Sequence, residues 1–227
     1  MMAKNRLRPS LLILCFMTRK ETGSMVSSAV LPGRSTLADV AAIQHPVPQG
    51  SAGKIMMRET AIHDLINLRC QPDNKKANAL VKKLTSHALP SANQSVQAGD
   101  RTIIWLAPDE WLIMAEAGAA STIMADMETA KLGHVATTEV SNAYGIISID
   151  GKSSRDMLAK HCALDLHASV FNKGTAIQTI MGHAGIILIA TDDNSFNIIG
   201  RASFMPYLVA LLADASVEYG FEYRPAK

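Results

Sequence analysis

The run HCALDLH, His161 to His167, gathers two imidazoles, a thiol and a carboxylate in one short stretch. All four are capable metal ligands. No second cluster with recognised ligand spacing completes a site, and His161 and Cys162 fall at the end of an expected helix, where a histidine interacts with the C-terminal dipole. A structural use is therefore the better reading. A second stretch, GIISIDGKSS from Gly145 to Ser154, has the Gly-Lys-Ser that opens the helix of a phosphate loop. Such a loop needs four residues between its glycines, whereas five strand-like residues separate Gly145 from Gly151. A strand running into a helix fits better. A third candidate is the acid pair Asp109 and Glu110, flanked by Trp105 and Trp111, which resembles the makings of a general acid/base site. Pro108 presets the backbone for the second position of a turn and Asp109 suits the third, so the acids read as turn residues and the tryptophans as packing on a sheet. His63, His134 and His183 stand singly, and no serine or cysteine has an evident base and orienting acid. The expectation is a chain with no catalytic, cofactor-binding or metal-ligating residue.

The elements around these residues follow a regular order. DLINLRC from Asp64 reads as a strand, and Lys75 to Ser86 carries Ala77, Leu80, Val81 and Leu84 at helical spacing. Thr102 to Leu106 and Trp111 to Ala115 read as a hairpin, followed by a helix from Ser121 with Ile123, Met124, Met127 and Ala130 on one face. The order then repeats. YGIISIDG is a strand, SSRD at Ser153 to Asp156 is a candidate capping box opening a helix Ser154 to His161, and AIQTIMGHAGIILIATDDNSFNIIG gives two or three strands. The last helix starts at Ser203 with Phe204, Leu208, Leu211, Leu212 and Ala215 along one stripe. The expected fold class is α+β, built from duplicated strand-helix-hairpin-helix units, because either half alone would leave a sheet face uncovered.

The 227 residues suffice for a sizeable core, and 48% apolar residues with 19% charged ones describe a soluble globular chain. A net charge of +2, with no basic block after the first twenty residues, lacks the electrostatic footprint of a nucleic-acid binder. Cys15, Cys70 and Cys162 form no C-x-x-C pair, which favours a reducing cytoplasm over a disulfide framework. Lys4, Arg6 and Arg8 before the apolar run Leu11 to Met17 sketch a signal peptide, yet the run is short, Arg19 and Lys20 follow it, and no A-x-A site stands behind. Nor is it long enough to span a bilayer. Residues 1–24 are expected to be a disordered or misassigned extension with function beginning at Met25. Residues 25–60, punctuated by Pro32, Gly33, Pro46, Pro48, Gly50 and Gly53, read as an extended arm, and 61–227 as one domain with halves at about 61–133 and 134–223.

The succession of LAPDEWLI, CALDLH with Phe171 beyond it, KGTAIQT and the SFMPYL helix, over Leu65 to Ala215, resembles the gamma subunit family of bacterial heterotetrameric sarcosine oxidase. The resemblance implies a noncatalytic structural subunit working with alpha, beta and delta partners. The assembly it implies is an oxidoreductase acting on CH–NH donors with oxygen as acceptor; it demethylates sarcosine and passes the one-carbon unit to tetrahydrofolate. FAD, FMN, NAD, zinc and tetrahydrofolate are then expected on the partner subunits and none in this chain. The family is also similar, more distantly, to the folate-binding fold of glycine-cleavage aminomethyltransferases and their iron–sulfur-related relatives. That likeness implies an alternative, an independent folate-using one-carbon enzyme, with Asp100 near the place of the aminomethyltransferases' catalytic aspartate. The sequence around Asp100 departs from that pattern. Thr175 stands where the iron–sulfur-related relatives carry a reactive cysteine, which removes thiolate chemistry there.

Overall fold

A computed structural model describes residues 35–47, 54–61 and 63–226. The expected extension 1–24 and the start at Met25 lie outside the described residues. Two sheets face one another. The smaller contains β3 (His63–Cys70), β4 (Ser95–Ala98), β5 (Arg101–Ala107), β6 (Glu110–Glu116) and β7 (Val135–Glu139), in the order β4-β5-β6-β3-β7. The larger is built from β1 (Ile43–His45), β2 (Ile55–Glu59), β8 (Tyr144–Asp150), β9 (Ala176–Met181), β10 (Ala184–Asp192), β11 (Ser195–Arg201) and β12 (Phe221–Arg224). Its order is β1-β12-β2-β8-β11-β10-β9.

The two-residue period of the strands sorts the core into layers. Leu65, Ile104, Leu112, Ile146, Ile187 and Ile199 point between the sheets and form one buried cluster. Their neighbours Ile66, Ile103 and Ile113 point the other way, onto helices α1 (Lys75–Thr85) and α2 (Ala120–Thr129) through Val81, Ile123 and Met127. In the larger sheet Ile147, Leu188 and Ile198 meet α3 (Ser154–Ala159) and α4 (Met205–Ser216) through Leu158, Leu208 and Leu212. The result is four layers, helices outside and two sheets inside, so both faces of each sheet are covered.

The duplication is visible in the connectivity. The first unit runs β3-α1-β4-β5-β6-α2-β7 and the second β8-α3-β9-β10-β11-α4-β12, and the first four strands of each unit occupy matching places in their sheets. They differ at one edge. In the first unit β7 pairs directly with β3, whereas in the second β2 inserts between β8 and β12, antiparallel to β8 and parallel to β12. The segment read as an extended arm thus contributes an internal strand, with Ile55 and Met57 fully buried, and Leu37 joins the same core.

Two local expectations are corrected. The SSRD capping box does not form: Ser153, at φ −93° and ψ 10°, makes no cap hydrogen bond, and α3 stops at Ala159 rather than His161. Its backbone lies outside the extended region from which a serine reaches the free amides. Phe204 is 41% exposed rather than on the buried stripe of α4, because it sits in a short 3-10 turn, Ala202–Phe204, ahead of the helix.

Candidate functional site

At the ends of β2 and β8, beside the start of β3, the chain encloses a cleft of about 90 Å³. Glu59, Thr36, His63, Asn142 and Tyr144 contribute side chains, and Gly145 forms part of the wall. Glu59 continues the buried face of Ile55 and Met57 and is only 8% exposed. Its carboxylate accepts a hydrogen bond from Ser35 Oγ and another, at 3.0 Å, from the amide of Ala226. A neighbouring phenol, Tyr223, is fully buried, and its hydroxyl has no hydrogen-bond partner among the described residues. Burial, and secondarily the charge of Glu59, push that phenol up to about 12. On the opposite wall Ser141 Oγ donates to Glu139 and accepts from the amide of Leu65, each at 3.0 Å. This site was invisible to motif reading, since Ser35, Glu59, Ser141 and Tyr223 meet only through the parallel β2–β12 pairing and the β2–β8 ladder.

The side chains singled out in the sequence are dispersed. Glu110 accepts from Asn67 Nδ2 at 2.7 Å and from Arg69 at 3.2 Å, and Asp109 lies 3.6 Å from the same guanidinium. The acids thus bind the β5–β6 turn to β3. Trp111 is buried on the helix-facing side and donates its indole N–H to the carbonyl of Pro90 at 3.1 Å, while Trp105 packs beside that core. In HCALDLH, Cys162 is buried and lies 3.9 Å from Thr179 Oγ1, whereas His167 contacts Ser169 Oγ at 2.7 Å and its amide donates to Asp165. Among the described residues no group of three or more His, Cys, Asp or Glu side chains is placed to hold a metal ion. Burial pushes the Cys70 thiol up, with Asp109 adding to the shift, the reverse of an activated nucleophile. Asp100 is exposed in the β4–β5 turn and lines no part of the cleft, and Thr175 pairs with Asn172 Oδ1 at 3.3 Å.

The sequence pattern of the sarcosine oxidase, gamma subunit family matches residues 70–218. The chain belongs to that family. The sarcosine oxidase subunit gamma of Corynebacterium sp. (strain U-96) is 30% identical over 201 residues, covering 86% of this chain and 95% of that protein. In the solved heterotetrameric sarcosine oxidase from Corynebacterium sp. U-96, in complex with pyrrole 2-carboxylate, one chain superposes with a TM-score of 0.70 at 28% identity, over 82% of this chain and 96% of that one. The glycine cleavage system aminomethyltransferase T of Bartonella henselae shares the fold, with a TM-score of 0.54 at 14% identity over 76% of this chain and 48% of that protein. As a gamma-subunit family member, the chain has the mixed α+β architecture common to both solved structures, and its four-layer core spans most of the family match.

Proposed function

We propose that this chain is the structural gamma subunit of a heterotetrameric sarcosine oxidase, bound to alpha, beta and delta partners in the cytoplasm. The partners hold the FAD, FMN, NAD and zinc and hand the one-carbon unit to tetrahydrofolate, while this chain has no catalytic, cofactor-binding or metal-ligating residue. The observation that carries the reading is the end-to-end likeness to a subunit of a heterotetramer, over 95% of the relative's sequence and 96% of the solved chain. Supporting it, the acid pair that sequence chemistry nominated is occupied with structure, since Glu110 and Asp109 fasten a turn to β3 through Asn67 and Arg69. Among the described residues no helix is long and apolar enough to cross a membrane. The test is sarcosine turnover by the assembly carrying Asp100→Asn. The proposal expects a loss below about tenfold, or about 1.4 kcal/mol of barrier. A loss of several orders of magnitude with the assembly intact would instead favour a folate enzyme with Asp100 at its centre.

A further inference from the structure

One end of the larger sheet carries apolar and cationic side chains that the fold leaves unused. There β9 turns into β10 at Gly182 and His183, and β11 runs out at Arg201, opposite Tyr144 of β8, into the 3-10 turn before α4. Ile180, 64% exposed, is the most exposed large apolar side chain among the described residues, and Phe204 is the one aromatic in that group. Apolar residues exposed singly are ordinary. These two instead flank a set of rings held in place by the fold. The Phe204 ring meets Tyr207 edge-on at 6.4 Å, and His183 lies tilted on the same ring at 6.4 Å. The Tyr207 hydroxyl accepts from the His183 amide at 3.1 Å, and a Cβ at Gly182 would collide with it. Beside Ile180 the sheet is open, because its cross-strand neighbour is Gly185, where a Cβ would meet nothing within 4 Å.

The charge at this end has one sign. Arg201 is exposed, its guanidinium stands 6.0 Å from the centre of the Tyr144 ring, and among the described residues it has no carboxylate partner. Residues 174–191 and 197–213, which build this end, contain no Asp or Glu. Glu59, in the cleft that Tyr144 also lines, is buried and already hydrogen-bonded by Ser35 and Ala226. Rigid aromatic rings beside an arginine are the composition of an interface centre, and rings fixed in advance lower the ordering cost of association.

We propose that this end of the larger sheet, through Ile180, Phe204, Tyr207 and Arg201, docks a different subunit of the oxidase, one presenting an apolar socket bordered by a carboxylate for Arg201. The inference rests on the subunit reading, under which another polypeptide covers part of this surface, and it names the part. A second copy of this chain fits less well, since the same end of a second copy would set one Arg201-bearing, acid-free surface against another.

The test is competitive assembly: wild-type and variant chains carrying different tags are co-expressed with the partner chains, and their shares in the mixed complex are measured by native mass spectrometry. The double variant Ile180→Thr with Phe204→Ser, and separately Arg201→Glu, are each expected to enter the complex at least about tenfold less than wild type, as for a lost interface anchor. Arg201→Lys should enter nearly as well as wild type. The control is Val217→Ser, at the far end of α4, where Val217 is 41% exposed like Phe204; it should enter equally. Should the double variant fail to fold, as judged by circular dichroism, Arg201→Glu decides alone, since its side chain is exposed and makes no ion pair among the described residues. Equal entry of Arg201→Glu or of the folded double variant, an equal loss in Val217→Ser, or a homomer of this chain that the same substitutions dissolve would overturn the proposal while leaving the mixed complex, and so the subunit reading, in place. Absence of any mixed complex with the wild-type chain would refute the subunit reading and this inference with it.

Discussion

Replacing Ile55 by alanine tests whether β2 is an internal strand or a peripheral arm. Ile55 is fully buried among the residues that α3 and α4 cover, its amide donates to the carbonyl of Gly220 at 2.9 Å, and it lies opposite Phe221 of β12. Gly151 also presses against it, since a Cβ there would come within 3.2 Å of Ile55 Cα. Held by β12 on one side and β8 on the other, the backbone cannot move in to fill the lost volume. The cost therefore belongs in the middle of the range for deleting a large aliphatic side chain, about 3 kcal/mol. At roughly 2–4 °C per kcal/mol for a chain of this size, the melting temperature falls by about 6–12 °C. The assay is thermal unfolding of the full-length protein by circular dichroism, with Ile55→Val expected to cost about 1 kcal/mol and the exposed Val170→Ala near zero. A melting temperature within about 1 °C of wild type for Ile55→Ala, far less than the transfer and cavity terms require, would refute the placement of β2 in the core.

Other outcomes follow from single contacts. Asp64→Ala removes the carboxylate that accepts from the Ala120 amide and should cost about 1–2 kcal/mol, as for a lost N-cap, measurable by urea denaturation. Arg101 donates to Glu116 at 2.7 Å, and that hydrogen bond holds the carboxyl down at about 2 against an ordinary 4.5. Because the folded value is the lower one, the contribution is complete above pH 4.5 and fades as pH falls towards 2. With Glu116 about half exposed, the effect is only about 0.2–1 kcal/mol, so a Glu116→Gln variant should fall slightly below wild-type stability at neutrality, with the gap closing as pH falls through about 2. Gly145→Ala should destabilise by about 1–3 kcal/mol through overpacking, given the 2.5 Å approach to Thr36 Oγ1, and a neutral result in thermal unfolding would contradict the close seating of Thr36 on β8.

What the sequence made legible was whatever depended on local period and turn chemistry. Leu80, Val81 and Leu84 mark one helical face, Pro108 and Asp109 a turn, and the apolar runs from Ala176 to Gly200 two or three strands, which the fold resolves as antiparallel β9, β10 and β11. Elements defined by distant pairing were not legible. In IMMRE, β2 shows buried residues at alternate positions, but Met56 is apolar too and the alternation is masked. Likewise β12 is four residues whose partner in the sheet lies at the other end of the chain. The cap of α2 shows the same limit: Ala119 offers no side-chain oxygen at the N-cap, and the Ala120 amide is instead capped by Asp64, from a strand 56 positions before Ala120. The cleft combines all these difficulties, because Glu59 and Thr36 come from the segment whose composition reads as a loop.

The most direct test of the subunit reading is native mass spectrometry of the material that co-purifies with this chain, tagged and expressed together with its three partner chains. The account predicts a complex containing one copy each of four different polypeptides, with sarcosine-oxidising activity in the same fraction. Recovery of the tagged chain alone or as a homomer, with the activity residing in a complex that lacks it, would contradict the account.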